Sequence, residues 1–206
     1  MTISEDELEK IFHQNVPKNI QEALVRCLFG SYRASYRECS NFPPEEKHDF
    51  LGYHRWIRLR TDLRGVAERF HPQMSFTERP WHTRLNIGQI WLTASSVQDP
   101  SRPKWASYRG LYAATSQYDL FEKNITPPPD SIFYAIMLHH PDERNPQFPS
   151  FMRIAFPDKR LDFYVCEINM FSLHAELVKS MRKTGEAEGM EIPVTLRKDI
   201  KKAKEA

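Results

Sequence analysis

Cationic side chains that could bind an anion are concentrated in one stretch of the chain. Arginine is weakly hydrated, and its planar guanidinium presents a fork of donors suited to phosphate or carboxylate groups. We predict a polyanion-binding set made of the arginines of residues 55–69 and two cations further along, namely Arg55, Arg58, Arg60, Arg64, Arg69, Lys104 and Arg109. Two tryptophans, Trp81 and Trp105, are predicted to stack on unpaired bases beside this set.

The charge distribution favours this hypothesis but leaves an alternative open. Residues 51–110 hold 10 basic and 4 acidic side chains, a balance of +6, whereas the whole chain carries +2. A basic block of this kind favours a polyanionic partner such as nucleic acid. The alternative is an amphipathic helix whose solvated flanks use arginine, because Asp62 and Glu68 lie on the same polar surface and can form local ion pairs.

Histidines and carboxylates in the C-terminal half form a second group of candidates. The weak candidates for catalysis are His139, His140, Asp142, Asp162 and Glu167. Imidazole and carboxylate groups serve as general acids and bases or as metal ligands, so their convergence would indicate a metal-dependent hydrolase or nuclease. Their spacing matches no metal-binding motif such as HExxH, and we predict instead that the histidines lie at the surface on a proline-rich loop. We therefore predict no metal site and no cofactor.

The string Pro157-Asp158, followed by Glu167-Ile168-Asn169, resembles the PD-(D/E)xK nuclease motif with asparagine in place of the lysine. Asp158 and Glu167 are nine residues apart, which is roughly 25–30 Å in an extended chain at about 3.3 Å per residue. Two carboxylates that share a metal ion must both lie within a few ångströms of it. For Glu167 we predict instead a structural ion pair with an arginine such as Arg153 on the neighbouring strand, with exposure to solvent as the alternative.

The elements that position these side chains follow an α+β pattern. Residues 44–70 form the clearest helix, because apolar side chains recur there every three or four positions, namely Trp56, Leu59, Leu63, Val66 and Phe70. Residues 85–97 alternate in polarity but change phase at Gly88, which indicates a bulge or a tight turn. Residues 132–138 are apolar on both faces, as in a central strand. We predict a helical N-terminal third, then a mainly antiparallel sheet of about four or five strands with a C-terminal helix packed on it.

The domain organisation and the compartment follow from length and composition. We predict one globular domain over residues 1–190, with a helical part over about 1–72 and a sheet-containing part over about 73–190. Residues 191–206 are predicted to form a last strand and a basic tail. The three cysteines are widely spaced without a CxxC pair, no apolar run is long enough to cross a bilayer, and the N-terminus is acidic. We therefore expect a soluble, cytoplasmic protein without membrane contact.

Three functions remain open on these grounds. The leading hypothesis is a non-catalytic protein that associates with nucleic acid or another polyanion through the arginine-rich helix. The first alternative is a protein–protein interaction subunit or a regulatory component of a larger complex. The second alternative is a metal-dependent hydrolase or nuclease. The chain contains none of the glycine motifs GxGxxG, GxxxxGKS, GxxxxGKT and GxSxG, so dinucleotide, P-loop and hydrolase-elbow sites are not expected.

Overall fold

The computed structural model describes residues 4–79, 82–116 and 131–183, and its fold is α+β as predicted. Three helices come first, and they are α1 Glu5–Asn15, α2 Lys18–Glu38 and α3 Pro44–Arg69. α1 begins with a capping box, in which the Ser4 hydroxyl accepts from the Glu7 N–H and the Glu7 carboxylate accepts from the Ser4 N–H.

Within the described residues, a mixed sheet of six strands follows the helices, with the strands side by side in chain order. The strands are β1 Met74–Arg79, β2 His82–Ile87, β3 Ile90–Ser96, β4 Phe133–Pro141, β5 Pro149–Pro157 and β6 Tyr164–Asn169. The remaining helices are α4 Ser107–Ser116, α5 Met170–Leu173 and α6 Ala175–Lys183. α4 packs on β4, α5 on β5, and α6 against α2. The predicted C-terminal helix is therefore confirmed, but in two parts, of which the short α5 packs on the sheet and α6 packs against α2.

The prediction of four or five strands was wrong, because residues 85–97 contribute to two strands. Their change of phase at Gly88 is a hairpin turn, in which Ile87 pairs with Ile90. Gly88 has a φ of 53°, a left-handed conformation that suits glycine. Asn15 at the end of α1 holds this turn, since its side-chain oxygen accepts from the Gln89 N–H at 2.9 Å.

One pair of strands breaks the antiparallel order, and it creates the edge at which a ligand could bind. β3 and β4 are parallel, with Ser96 opposite His139, and the connection between them contains α4. The carboxyl ends of two parallel strands lie at the same edge of the sheet. In open α/β sheets, ligands bind in the crevice outside the carboxyl ends of parallel strands.

Both faces of the sheet are covered along β4. Phe133, Ala135 and Met137 pack into the large core formed with α1, α2 and α3, whereas the residues that alternate with them face a smaller cluster that includes Ala113 of α4. The prediction that residues 132–138 form a strand buried on two sides is confirmed. Successive residues of β4 therefore point to opposite faces of the sheet and pack alternately into the two cores.

Several predicted features fall outside the described residues. These are Trp81 and the last strand and basic tail predicted over 191–206. Among the helices within residues 4–79, 82–116 and 131–183, none combines the length and the apolar character needed to cross a bilayer.

Candidate anion-binding cavity

A cavity of about 1020 Å³ lies at the carboxyl edge of the parallel strands β3 and β4. Its floor includes Ser95 and Ser96 at the end of β3 and His139 and His140 near the end of β4. α3 forms one wall, and the segment that leads into α4 forms another. The long loop after β4 closes the third side. With α2 and β2, which also contribute, the cavity draws residues from six separate parts of the chain.

Cationic side chains predominate in the lining of this cavity. Five cations line it, namely Lys47, Arg55, Arg60, Lys104 and Arg109, together with the acidic residues Asp142 and Glu143. The Asp142 carboxylate is engaged in its own loop, where it accepts from the backbone N–H groups of Arg144 at 2.9 Å and Asn145 at 3.2 Å. The cations of the lining therefore outnumber its carboxylates even though Arg60 is paired with Glu78, and this excess of positive charge favours an anion.

Arg55 enters the cavity from α3 without a carboxylate partner. Its guanidinium carbon lies 4.8 Å from the centre of the Tyr32 ring, and its Nη2 donates to the carbonyl oxygen of Pro146. Its Nε is buried and has no hydrogen-bond partner, and no carboxylate in the part of the chain that the structure describes forms an ion pair with it. Burial lowers the pKa of the Arg55 guanidinium, because desolvation penalises the charged form.

Arg109 occupies the opposite wall and is the most deeply buried cation of the cavity. Its side chain comes from the first turn of α4, and the residue is only 6% exposed. Nη1 donates to the Lys104 carbonyl oxygen at 2.7 Å, whereas Nε is buried without a hydrogen-bond partner. Within residues 4–79, 82–116 and 131–183, no carboxylate forms an ion pair with it. Like Arg55, it carries a charge that the described chain leaves uncompensated.

The other arginines of α3 are in a different environment. Arg58 forms ion pairs with Glu38 at 3.5 Å and with Asp62 at 3.2 Å. Arg60 and Arg64 both pair with Glu78 on β1. These ion pairs are partly or largely exposed to solvent, so each contributes little to stability but neutralises the local field.

The predicted polyanion-binding set is thus divided by the fold. Four members line the cavity, namely Arg55, Arg60, Lys104 and Arg109. Three do not, namely Arg58, Arg64 and Arg69. Arg69 is exposed at the C-terminal end of α3. The alternative of local ion pairing applies to Asp62, which pairs with Arg58 four residues earlier.

Aromatic rings stand at the rim of the cavity. Trp105, a predicted stacking residue, lines it and is 71% exposed. Trp56 of α3 also lines it and is 42% exposed, although its spacing indicates the apolar face of the helix. Tyr108 contributes a third ring, which stacks on His82 at 4.1 Å between ring centres. Exposed flat rings beside cations are suited to a ligand that carries both a ring and a negative charge.

Tyr32 and His139 form a neutral polar pair at the cavity floor. The Tyr32 hydroxyl and His139 Nδ1 share a hydrogen bond of 2.8 Å. Burial lowers the pKa of His139 to about 3, and burial also raises the pKa of Tyr32. Both side chains are therefore uncharged near neutral pH, and the positive potential of the cavity comes from its lysines and arginines.

The predicted surface position of His139 was wrong. Alternation from Phe133 through Ala135 and Met137 places its side chain on the helix-covered face of β4, where it is buried. His140, the next residue, points to the other face, stacks on Phe151, and has an Nδ1 without a hydrogen-bond partner. The strand extends further than the polar sequence after residue 138 indicates, because pairing with β5 continues to Pro141.

Of the remaining catalytic candidates, Asp142 lines the cavity together with the two histidines, whereas Asp162 and Glu167 do not. Asp162 lies in the turn between β5 and β6, and Glu167 lies on β6. Glu167 forms the predicted ion pair with Arg153, with 2.9 Å between Arg153 Nη1 and a Glu167 oxygen, so that prediction is confirmed. In the described part of the chain, no three His, Cys, Asp or Glu side chains are placed to hold a metal ion.

Asp158 has a structural role in the hairpin between β5 and β6. Its carboxylate accepts from the backbone N–H groups of Arg160, Asp162 and Phe163, at 3.1, 2.6 and 3.2 Å. The turn that it holds contains Leu161, which has a φ of 62°. Of the two carboxylates in the nuclease-like string, that of Asp158 therefore holds a turn, and that of Glu167 forms an ion pair on β6.

Sequence reasoning missed Lys47, Tyr32 and the position of Trp56 as parts of this cavity. Tyr32 follows the helical spacing of the apolar residues of α2, and that spacing also fits an ordinary core residue. Lys47 carries no pattern of its own, and its ammonium lies 4.2 Å from the centre of the Tyr36 ring. Only the packing of α2 and α3 over the end of β4 brings these residues together.

α3 also exposes large apolar side chains near its N-terminal end. Phe50 is exposed and stacks on Phe42, and Tyr53 and Ile57 are exposed nearby. Exposed apolar groups that are adjacent to one another are typical of interaction surfaces. The predicted role as an interaction subunit stays a prediction.

Comparisons of the chain with family models, with curated proteins and with solved structures find no match. The functional interpretation therefore depends on the geometry of the cavity.

Proposed function

We propose that the protein binds a small organic anion with a flat ring, of the nucleotide class, in the cavity at the carboxyl edge of β3 and β4. The observation that carries this proposal is the presence of two guanidinium groups, that of the half-buried Arg55 and that of the buried Arg109, which line one cavity without a carboxylate partner among the described residues. This proposal narrows the predicted association with polyanions to a ligand that fits within a cavity.

The case for an anion is energetic. An unpaired buried charge costs several kcal/mol in lost solvation, and proteins compensate such charges by ion pairs or bound ions. Arg55 and Arg109 each use part of their hydrogen-bonding capacity on a backbone carbonyl and leave Nε without a partner. A ligand with phosphate or carboxylate oxygens would supply the missing negative charge.

The rim and the size of the cavity favour a ligand with a ring. Trp56 and Trp105 are large apolar side chains that remain substantially exposed where they border the cavity. Base–aromatic stacking contributes about 1–3 kcal/mol per base and tolerates any base identity. A volume of about 1020 Å³ lies at the upper end of ordinary ligand sites. Such a cavity accommodates a nucleotide, whereas a duplex would need an extended basic face.

The outer surface of α3 gives less support to duplex binding than its composition indicates. Arg58 and Arg64 are ion-paired with Glu38, Asp62 and Glu78, so their charges add little to a long-range field. Arg60 lines the cavity but is also paired with Glu78, and the lining cations with the strongest need for a negative partner are Arg55 and Arg109. We therefore place binding within the cavity and not along the outer face of α3.

Titration calorimetry with adenosine, adenosine monophosphate and adenosine triphosphate tests this proposal. We expect the phosphorylated compounds to bind, the nucleoside to bind much more weakly, and affinity to fall as salt is raised from about 20 to about 200 mM. Quenching of tryptophan fluorescence should accompany binding, because Trp56 and Trp105 border the cavity. Absence of binding by both nucleotides at low salt would refute the proposal, and equal binding of adenosine would remove the role of the anion.

A further inference from the structure

We propose that Arg55 and His139 form an oxyanion subsite at the floor of the cavity, in which the neutral imidazole of His139 donates a hydrogen bond from Nε2 to an oxygen of the ligand. The oxyanion subsite consists of the Arg55 guanidinium and His139 Nε2. The group that enters it is a negatively charged acceptor, namely a phosphate or a carboxylate. This inference rests on the proposed function, because it assigns the end of the ligand that reaches the floor.

His139 has one ring nitrogen that the protein uses and one that it leaves open. Nδ1 shares the 2.8 Å hydrogen bond with the Tyr32 hydroxyl, whereas Nε2 has no hydrogen-bond partner among the described residues. The residue is only 5% exposed, but Nε2 keeps accessible surface, unlike Nδ1 of His140, which is buried without a partner. Because the side chain lines the cavity, this nitrogen opens into it. Polar atoms of buried residues are usually hydrogen-bonded, so Nε2 is a position at which a bound molecule completes the hydrogen bonding.

The surroundings of Tyr32 assign the position of the imidazole proton. Burial raises the pKa of the Tyr32 hydroxyl, whereas the charge of Arg55 and a hydrogen bond with the Ser96 side chain act to lower it. The latter two favour release of the phenolic proton, so they make Tyr32 the donor and His139 Nδ1 the acceptor in their shared bond. A neutral imidazole whose Nδ1 accepts carries its proton on Nε2. His139 therefore presents a donor to the cavity.

Arg55 supplies positive charge next to this donor. Its guanidinium carbon lies 4.8 Å from the centre of the Tyr32 ring, and Tyr32 is hydrogen-bonded to His139, so both members of the oxyanion subsite contact one tyrosine. The charge of Arg55 also lowers the pKa of His139, after the larger effect of burial, which is a second indication that the two groups are close. Arg55 Nη2 donates to the Pro146 carbonyl and Nε is buried, whereas Nη1 has no hydrogen-bond partner among the described residues.

The open nitrogens of this subsite can only donate, so the ligand must supply acceptors there. A guanidinium has no acceptor, and neither has a neutral imidazole at its protonated nitrogen. Charge-assisted hydrogen bonds from such donors to phosphate or carboxylate oxygens are among the strongest in proteins. Trp56 and Trp105 are exposed at the rim, whereas His139 is buried at the floor. The ligand therefore enters with its oxyanion first and keeps its ring at the rim.

Calorimetry on the full chain with three adenosine derivatives tests the chemistry of the group at the floor. Adenosine monophosphate, adenosine 5′-carboxylate and 5′-amino-5′-deoxyadenosine share one ring and differ in that group. We expect at least one of the two oxyanions to bind about 10-fold or more tightly than the amine, which is a donor. Binding of the phosphate alone or of the carboxylate alone identifies the oxyanion that the subsite takes. Equal affinity for the amine would overturn the oxyanion subsite.

Two substitutions at His139 separate the donor to the cavity from the contact with Tyr32. The amide nitrogen of asparagine reaches about as far as Nδ1, and that of glutamine about as far as Nε2. We expect His139→Asn, which loses the donor to the cavity, to weaken binding of the oxyanion about 10- to 100-fold. We expect His139→Gln to restore the affinity to within about threefold of the wild type. Equal losses in the two variants would show that His139 has only a structural role, and they would overturn the inference.

Nitrogen NMR of the histidine-labelled wild type tests the tautomer without a ligand. The His139 signals are identified by their absence in His139→Gln. We expect the Nε2–H tautomer near neutral pH, and we expect Tyr32→Phe, which removes the donor to Nδ1, to populate the other tautomer. Addition of the oxyanion should shift the Nε2–H proton of the wild type. The Nδ1–H tautomer in the wild type would overturn the inference even if the variants do not fold, with signals then assigned through Tyr32 contacts.

The outcomes separate this inference from the proposed function. If adenosine monophosphate binds the wild type and His139→Asn equally, the oxyanion subsite is wrong and the cavity proposal stands. The same conclusion follows if binding occurs while the imidazole is in the Nδ1–H tautomer. If neither oxyanion binds the wild type at low salt, both proposals fail.

Discussion

Two arginines on α3, three residues apart, have opposite environments. Arg58 points towards solvent, where Glu38 and Asp62 neutralise it. Arg55 points into the cavity, where it contacts a tyrosine ring and a backbone carbonyl but no described carboxylate. Residue type and helix are the same in both cases. The difference shows that an arginine becomes a candidate ligand-binding group when the fold places no carboxylate beside it.

The energetic consequences of the two environments differ in size. An exposed ion pair such as that of Arg58 contributes about 0–1 kcal/mol. A desolvated guanidinium without a countercharge costs free energy in the unliganded protein, and an anionic ligand recovers it. We therefore expect the arginine on the cavity side of α3 to contribute to ligand binding and the arginine on the outer side to contribute to stability. Stability measurements on the two sides should therefore give different results.

The largest effect is expected at His139, on the floor of the cavity. Its pKa is about 3 in the folded protein, whereas the ordinary value of 6.5 applies to the unfolded chain. Between these values the unfolded state binds a proton that the folded state does not, so acid favours unfolding. The contribution of the neutral imidazole is complete above pH 6.5 and is lost as the pH falls towards 3. As the pH falls within this range, we expect protonation of His139 in the unfolded chain to decrease the free energy of unfolding by about 1.4 kcal/mol per pH unit.

Urea denaturation of the wild type and of His139→Asn at several pH values between about 4.5 and 7.5 measures this effect. Asparagine keeps a polar group near Tyr32 but does not titrate. His82 and His174 also have lowered pKa values, mainly through burial, and both are present in both proteins, so they cancel in the comparison. Parallel pH profiles for the two proteins would show that His139 is accessible to protons in the folded state.

A smaller effect is expected when the charge is removed from each of the two arginines. Arg55→Met replaces a desolvated charge by an apolar side chain of similar length, and we expect the unliganded protein to gain about 1 kcal/mol. Arg58→Met removes an exposed pair of contacts with Glu38 and Asp62, and we expect a loss of up to about 1 kcal/mol. Thermal and urea unfolding without added anions measure both changes. A clear loss of stability in Arg55→Met would mean that a negative group of the chain already compensates Arg55.

Local elements of the fold could be predicted because their signals are local. The spacing of Leu59, Leu63 and Val66 predicts the buried face of α3, and the two-sided apolar pattern predicts the burial of β4. The hairpin at Gly88 is harder to predict, because a change of phase is compatible with both a bulge within one strand and a turn between two. The parallel pairing of β3 with β4 has no local signal, since it depends on a crossover of more than 30 residues.

The candidate site could be predicted only in part, for a related reason. Residue type alone indicates that Arg55, Arg60, Lys104 and Arg109 could bind an anion, and all four line the cavity. Which arginines remain unpaired depends on Glu78 of β1 and Glu38 of α2, and those partners are set by tertiary packing. The position of His139 was predicted wrongly because the apolar run ends at residue 138, whereas β4 continues through polar residues to Pro141.

Calorimetric titration of adenosine monophosphate into Arg55→Gln and Arg58→Gln is the most direct test of the central claim. Both variants lose one positive charge from the same helix, at positions three residues apart, so general electrostatic effects are matched. We predict that Arg55→Gln weakens binding about 10-fold or more, as expected for a lost charge-assisted contact, whereas Arg58→Gln changes affinity less than about twofold. Equal losses in the two variants would contradict the account, because they would show that the ligand senses the charge of the helix and not the cavity.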